Sequence, residues 1–243
     1  MGVVAFTVLA TSFLSGIFGM AGGMILLGVL LVFMDVAPAM ILFGAIQGAA
    51  NGWRALLWHA HIHWSVVWRY VIGATVAFLA MRTVAFVPDK AVLFICIGAL
   101  PFLAYLIPER FMPDVSQPWG PYICGLVVLT LQLIAGGAGH ILDMFFQRSG
   151  FDRRGIVGTK AVCQTLAHVY RILYFGSFAA AFDFQVPWWA FAGAIALAFL
   201  GTSLAAKVLE RMSDADFRKW TSRIVLAVAV TFLTRGLWLL ATQ

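Results

Sequence analysis

The chain has few charged residues for its 243 residues. Charged side chains make up 11% of the sequence, whereas an ordinary soluble domain contains about 25%. Hydrophobic residues reach 63%, and the mean hydropathy is +0.96. This composition excludes a soluble globular domain. It predicts an all-α protein that crosses a lipid bilayer several times, because helices satisfy their own backbone hydrogen bonds in lipid.

Cysteine is also scarce, and its spacing excludes two kinds of scaffold. Cys96, Cys124 and Cys163 are far apart, form no CxxC pair and lie in apolar stretches. A disulfide framework and a zinc site both need closer or paired cysteines. We therefore expect three buried thiols that pack as small hydrophobic groups.

Sequence motifs of enzymes and of nucleic-acid-binding proteins are missing as well. The chain contains no HExxH and no GxSxG motif, and no basic stretch is interleaved with aromatic residues in a solvated region. We expect no enzyme, no cofactor, no bound metal and no nucleic-acid partner. The net charge of +6 is explained by basic residues in the loops, which fix the orientation of a membrane protein in the bilayer.

The apolar sequence divides into eight segments of membrane length, since a span needs about 20 apolar residues. The N-terminal stretch has no basic region and no cleavage site, so it is assigned to the first span. The predicted segments are 3–34, 36–58, 64–86, 90–107, 118–147, 155–178, 186–208 and 220–241.

The first and fifth segments are too long for one straight helix in a bilayer. About 30 residues at 1.5 Å each reach roughly 45 Å, against a hydrocarbon core of about 30 Å. Each contains a glycine-rich stretch, "GMAGG" at 19–23 and "GGAGH" at 136–140. We expect a broken helix at each stretch, because glycine permits unwound backbone. Close helix packing is the alternative role for these glycines.

The two halves of the chain align with each other. "SGIFGMAGGMIL" matches "LQLIAGGAGHIL" at an offset of 116, which places Gly139 over Gly23. "AIQGAANGWRALLW" matches "VCQTLAHVYRILYF" at an offset of 117, which places Arg171 over Arg54. The alignment predicts a tandem duplication of two four-segment repeats, 1–108 and 117–243.

These glycine-rich segments and the four-plus-four pattern resemble the sulfite exporter TauE/SafE family of bacterial inner-membrane proteins. The sequences that carry the resemblance are "GIFGMAGGMILLGVLL" and "IAGGAGHILDMFF". Family members usually show a denser glycine run with a proline soon after it, and this chain lacks that proline. The resemblance implies transport of sulfite, a sulfonate or a related organosulfur anion, and export as its direction.

A polar stripe on one helix face is the candidate anion site. Residues three, four and seven apart share a helix face, and arginine at the bilayer centre is costly without a function. Guanidinium binds oxyanions bidentately, amides add neutral hydrogen bonds, and the ends of broken helices add N–H groups. The predicted substrate-binding residues are Gln47, Asn51, Arg54, Lys160, Gln164, His168, Arg171, Gly22, Gly23, Gly137 and Gly139. The alternative is that both arginines reach to the membrane interface while the amides join helices.

Two groups of titratable residues are further candidates. His140 and Asp143, three apart beside the second glycine stretch, are the predicted proton-coupling pair. "HAHIHW" at 59–64 alternates three histidines, which would share one face of an extended strand and could then bind a metal. An interfacial loop with titratable histidines is the simpler expectation.

Positively charged loops predict the orientation. Arginines and lysines concentrate in 148–154 and 207–219, which we place in the cytoplasm, with both termini outside. We expect the first and fifth segments to cross the bilayer fully. If they instead enter and return on the same side, the two repeats become inverted.

The sequence therefore predicts a secondary transporter of a small oxyanion in the bacterial inner membrane. An anion channel, a proton-coupled importer of a small organic anion and a metal-dependent intramembrane enzyme stay open as alternatives. The expected partners are the anionic substrate and the lipid bilayer, and a homodimer is left open.

Overall fold

The computed structural model describes residues 2–18, 20–106, 113–178, 188–209, 212 and 214–242. These residues form ten α-helices and one short 3₁₀ turn, and the described ranges contain no strand. The α-helices are α1 Gly2–Phe18, α2 Met20–Phe33, α3 Val36–Leu57, α4 Trp64–Val84, α5 Lys90–Leu106, α6 Gly120–Ala135, α7 Gly139–Gln147, α8 Arg153–Gly176, α9 Trp188–Leu209 and α10 Asp214–Ala241.

The all-α expectation is confirmed over the described ranges. Three helices there are long and apolar enough to cross a membrane: Trp64–Val84, Trp188–Ala205 and Lys219–Ala241. Parts of the predicted regions lie outside the described residues, namely Gly19 of the first glycine stretch, residues 108–112 of the connection between the fourth and fifth segments, and part of the 207–219 loop.

The two broken segments do not run straight through the bundle, which corrects our expectation of one interrupted crossing in each. A Cβ atom on Gly22 of α2 would lie within 2.3 Å of Thr11 O and Ser15 N of α1. In one continuous helix, Gly22 and Thr11 would be about 16 Å apart. The chain therefore turns back at the break, so that α2 packs along α1.

The second broken segment turns back in the same way. The amide of Val115, just before α6, donates a hydrogen bond of 3.0 Å to the carbonyl of Phe145 near the end of α7. The segment therefore begins and ends at the same end of the bundle. Its break spans 136–138, where Gly136 has φ +73°, a left-handed conformation that glycine adopts at low cost.

Helices α3 and α8, which align in the two halves of the sequence, pack against each other in opposite directions. A Cβ on Gly44 would lie near His168 and Ile172, whereas a Cβ on Gly158 would meet Trp58. The early part of α3 thus contacts the late part of α8. Helices α5 and α10 also run antiparallel, because Gly98 lies near Ala229 and Gly236 lies near Ala91.

One end of the bundle, which we call the basic end, consists of residues 58–63 and 148–152 and the first turn of α8. The ring of His63 stacks on Phe151 with 3.9 Å between ring centroids. The Cζ atom of Arg154 lies 5.8 Å from the ring centroid of Trp58. The antiparallel α5–α10 packing places the start of α10 at this end too.

The other end, which we call the opposite end, consists of residues 34–35 and 85–89. Lys90 Nζ lies 3.7 Å from the carboxylate of Asp35. The hydroxyl of Tyr174, near the end of α8, donates to the carbonyl of Phe86 at 2.7 Å. The last turns of α10 pack on the first turns of α5, so the C-terminal helix finishes at this end.

Candidate functional site

A cavity of about 60 Å³ lies where the two breaks meet the middle of α3 and α8. It exceeds the space that one water molecule needs and is far smaller than the roughly 300–1,000 Å³ of a cleft for a drug-sized ligand. The residues that line it are Ser15, Gly23, Met24, Leu27, Phe43, Gln47, Asn51, Arg54, Ile97, Gln132, Gly136, Gly137, Ala138, Gly139, Gln164, His168 and Arg171.

The structure brings most of the predicted site residues to this one cavity. Both halves of the polar stripe line it, although they are more than a hundred residues apart in the sequence. The predicted residues in its wall are Gln47, Asn51, Arg54, Gln164, His168, Arg171, Gly23, Gly137 and Gly139. Lys160, Gly22, His140 and Asp143 are not part of that wall.

Arg171 is fully buried and is held by hydrogen bonds from its guanidinium group. Nη2 donates to the carbonyl of Gln132 at 3.1 Å and to that of Gly136 at 2.6 Å. The Cζ atom lies 4.7 Å from the ring centroid of Phe43, a cation–π distance. Within the described part of the chain, Arg171 forms no ion pair with a carboxylate.

Arg54 repeats this arrangement in the first half of the chain. Its Nη2 donates to the carbonyl of Ser15 at 3.2 Å, and its Nη1 donates to Oδ1 of Asn51 at 3.3 Å. Arg54 is partly exposed, which distinguishes it from Arg171. Both arginines thus bond a carbonyl in the last turns of the helix that precedes a break.

These contacts give each arginine a structural role beside any role in binding. The last four carbonyls of a helix have no partner within the helix, and they carry a partial negative charge. Helices α1 and α6 end at breaks inside the bundle, where water is scarce. A guanidinium group that donates to these carbonyls satisfies them and offsets their charge. This accounts for arginine at two aligned positions of the sequence that face the interior.

The hydrogen bonds of His168 define its protonation state. Its Nδ1 lies 3.2 Å from Nη1 of Arg171 and 3.4 Å from Nε2 of Gln132. Guanidinium has only donors, so Nδ1 accepts and the imidazole is neutral with its proton on Nε2. His168 is 7% exposed. In this arrangement it acts as a hydrogen-bonding group of the cavity wall and carries no charge.

Two buried donors of the wall have no hydrogen-bond partner among the described residues. They are Nε2 of Gln47, which is 4% exposed, and Nε of Arg171, which is 0% exposed. A buried donor without a partner costs free energy, about 1–3 kcal/mol. Beside them, α2 and α7 begin with N–H groups that have no partner in their own helix. The wall is therefore rich in donors for a bound oxyanion.

Lys160 and Asp143 form an ion pair with each other instead of joining the wall. Asp143 lies one turn beyond Gly139 on α7, and Lys160 lies one turn before Gln164 on α8, so both lie toward the basic end. His140, the other residue of the predicted proton-coupling pair, is partly buried, and its Nε2 has no partner among the described residues. The polar stripe on α8 thus divides between the cavity and an ion pair outside it.

Several residues of the wall were not predicted from the sequence. Gln132 and Ser15 are the polar ones, and the offset of 117 that aligns the two arginines also places Gln132 over Ser15. Both supply the carbonyl that receives the arginine of their own half. That shared offset was the signal available for finding them. The apolar residues Met24, Leu27, Phe43 and Ile97 carry no such signal, because apolar residues occupy most of the chain.

The three histidines of "HAHIHW" do not lie on a strand. His59–His61 form a 3₁₀ turn, so the side chains do not alternate as they would on an extended strand. His63 stacks on Phe151, and the rings of His61 and Trp58 have centroids 6.2 Å apart. No group of three or more His, Cys, Asp or Glu residues suited to a metal occurs in the described ranges.

Comparison with known proteins gives a match at the level of the family. No curated protein and no solved structure gives a significant match. The family model described as "Sulfite exporter TauE/SafE" matches residues 4–232, which is nearly the whole chain. Together with the apolar helices, this match indicates a membrane protein. The chain belongs to the sulfite exporter TauE/SafE family of transporters.

Proposed function

We propose that the protein is a secondary transporter that exports a small oxyanion, such as sulfite or a short organosulfur anion, across the bacterial inner membrane. The observation that carries the proposal is the charge of the cavity wall. Among the described residues that line it, Arg54 and Arg171 are charged and no carboxylate is present. With His168 neutral, the wall carries two positive charges, so an anion is the favoured occupant.

The donors of the wall support an oxyanion in particular. The two guanidinium groups present planar N–H groups that match the geometry of sulfur oxyanions. Amides of Gln47 and Gln164 and the N-terminus of α7 add uncharged donors around the same volume. The small size of the cavity favours an inorganic anion or a short-chain sulfonate over a bulky organic acid.

The packing supports two inverted repeats with an anion site between them. Equivalent helices α3 and α8 run antiparallel, as do α5 and α10. We propose that each repeat consists of a re-entrant helix pair, α1–α2 or α6–α7, followed by three crossings. Inverted repeats of this kind place a substrate site near the bilayer midplane and allow alternating access by motion of one part against another.

The charge of the loops supports an orientation in which the basic end faces the cytoplasm. Arg148, Arg153 and Arg154 lie at that end, as does the start of α10 with Arg218 and Lys219. In membrane proteins, short loops rich in lysine and arginine stay on the cytoplasmic side. An anion that leaves a cell with a negative interior gains about 2.3 kcal/mol per charge per 100 mV. Export along this gradient requires no proton, so we assign no coupling step to His140 or Asp143.

A thermal-shift panel on purified protein tests the proposal. The panel contains sulfite, sulfate, sulfoacetate, taurine and simple carboxylates at one ionic strength. A ligand at 100 times its Kd stabilises the folded state by about 2.7 kcal/mol. We expect stabilisation by at least one sulfur oxyanion, and counterflow of the same anion in proteoliposomes. If no anion stabilises the protein above a chloride control, the cavity is not an anion site.

A variant control separates binding at the cavity from general salt effects. Arg54→Gln removes one charge from the wall, whereas Arg153→Gln removes one charge from the exposed start of α8. The first change should reduce the shift strongly, and the second should preserve it. Equal losses in both variants would assign the stabilisation to surface charge. Flux that never exceeds the electrochemical gradient and lacks counterflow would identify a channel.

A further inference from the structure

The two repeats differ in chemistry at three matched positions near the cavity. In the first half these positions are apolar, and in the second half they are ionisable. The matched pairs are Met24 with His140, Leu27 with Asp143, and Phe43 with Lys160. The first two pairs share the offset of 116, and the third shares the offset of 117 that relates the two arginines. A symmetric scaffold thus has different chemistry on the two sides of its cavity.

The apolar set, Met24, Leu27 and Phe43, closes the side of the cavity that faces the opposite end. These side chains are 5%, 1% and 5% exposed, respectively. Phe43 lies one turn from Gln47 toward the start of α3, and its ring covers the guanidinium of Arg171. A Cβ on Gly136 would lie 2.6 Å from Cδ2 of Leu27, so the apolar set reaches the second break.

The polar set, His140, Asp143 and Lys160, lies on the side that faces the basic end. The side chain of Asp143 is 49% exposed and that of Lys160 is 23% exposed. Their ion pair joins α7 to α8 one turn outside the cavity wall. Arg54, the partly exposed arginine, lines the cavity near the end of α3 that reaches the basic end.

We infer that the cavity is open toward the basic end in this conformation and is closed toward the opposite end by the apolar set. Lys160 lies at the mouth of the cavity and selects anions there. Lys160 attracts an anion. When no anion is near, the carboxylate of Asp143 neutralises the charge of Lys160. Packed apolar side chains exclude ions from the other side because an ion there loses its hydration. The identity of the permeating species rests on the proposed function, whereas the side of access does not.

The reactivity of a thiol in the cavity shows from which side of the membrane the cavity is accessible, without any transport assay. In a background without Cys96, Cys124 and Cys163, Gly137→Cys places a thiol in the wall, where a Cβ meets no atom within 4 Å. Membrane-impermeant methanethiosulfonate reagents are applied to membrane vesicles of each orientation. Gln117→Cys, at an exposed position before α6, marks the basic end.

We expect Gly137→Cys to react from the same side as Gln117→Cys and at least tenfold more slowly from the other side. Leu27→Ala should open the apolar set, so that Gly137→Cys reacts from both sides. The matched control is Leu30→Ala, which removes an equally buried leucine one turn away on α2 that does not line the cavity. Labelling from the other side alone, or equal effects of the two alanine variants, would overturn the inferred side of access.

The role of Lys160 is tested by the charge of the reagent. Anionic ethylsulfonate and cationic trimethylammonium reagents are compared on Gly137→Cys, since their rate ratio reports the electrostatic field at the mouth. Lys160→Gln should lower the anion-to-cation ratio severalfold, and Asp143→Asn should raise it. An unchanged ratio in Lys160→Gln would refute anion selection by this lysine. If the labelling results hold while no anion is transported, the proposed function fails and the side of access stands.

Discussion

Replacement of the two arginines by glutamine should have unequal consequences, although the two positions align between the two halves of the sequence. Arg171 donates to two main-chain carbonyls and is fully buried, whereas Arg54 donates to one carbonyl and is partly exposed. Arg171→Gln should therefore reduce both stability and anion binding. Arg54→Gln should reduce mainly anion binding.

The magnitudes follow from the contacts. Loss of the guanidinium of Arg171 leaves the carbonyls of Gln132 and Gly136 buried without their donor, at about 1–3 kcal/mol each. The sum is a large part of the roughly 5–15 kcal/mol that holds a typical protein folded. At Arg54 only one carbonyl is affected, and the arginine side chain itself is partly exposed. A hydrogen bond to a charged group contributes about 1.5–3 kcal/mol, so each variant should weaken anion binding by about 10- to 150-fold.

The assay combines thermal unfolding in detergent without ligand and titration with the anion that gives the largest shift. We expect Arg54→Gln to unfold within a few degrees of the parent protein and to bind the anion at least tenfold more weakly. Arg171→Gln should unfold at a clearly lower temperature. Anion binding of parental strength in both variants would refute the cavity as the site. A larger loss of stability in Arg54→Gln than in Arg171→Gln would refute the reasoning from buried carbonyls.

Three further changes test the fold. Gly136→Ala should destabilise the protein by about 1–2 kcal/mol or more, since alanine disfavours the left-handed conformation of residue 136. Gly137→Ala should be tolerated, because a Cβ there meets no atom within 4 Å. Denaturant unfolding of the two variants measures the difference. In the cysteine-free background, Gln147→Cys at the exposed end of α7 should react with impermeant maleimide from the same side as Gln117→Cys, and reaction from opposite sides would contradict the re-entrant second segment. Tyr174→Phe should lose about 1 kcal/mol of stability with unchanged anion affinity, measured by the same unfolding and titration.

The helices and the convergence of the polar stripe could be predicted from the sequence because both depend on strong local signals. Apolar runs of membrane length have few structural solutions in lipid. The spacing of Gln47, Asn51 and Arg54 fixes one helix face, and its repetition at 164–171 predicts a shared site. The structure places both faces in one cavity wall.

The path of the chain at the breaks could not be predicted in the same way. A glycine-rich stretch permits unwound backbone, but glycine does not determine whether the next helix continues or turns back. That choice depends on contacts between distant residues, such as the close approach of Gly22 to Thr11 and the hydrogen bond from Val115 to Phe145. The position of the loop charges is the same for both paths at 148–154, so charge counting did not distinguish them either.

The ion pair of Lys160 with Asp143 was missed for a related reason. On α8 alone, Lys160 continues the stripe that contains Gln164, and its helix face predicts a place in the site. Its partner lies on α7, whose return toward the basic end brings Asp143 next to the first turns of α8. Because the sequence did not reveal that return, it could not reveal the pair.

The turn-back at each break also explains why arginine is the cation found beside it in both halves of the chain. Helices α1 and α6 end at the breaks with partial negative charge, and α2 and α7 begin there with partial positive charge, about half a unit each. These charges nearly cancel, so a broken helix alone offers an anion little net attraction. A guanidinium that donates to the carbonyls removes the negative contribution, adds a full positive charge and keeps further N–H groups for a ligand.

Lysine cannot make this arrangement, because its ammonium group is a compact charge without a planar fork. At Arg171 the same guanidinium bonds Gln132, Gly136 and His168 while its Nε stays without a partner among the described residues. Lysine there would keep the charge but could not span these groups at once. The positive potential of the cavity and the geometry of its donors are therefore separate properties, and only arginine supplies both from one position beside a helix break.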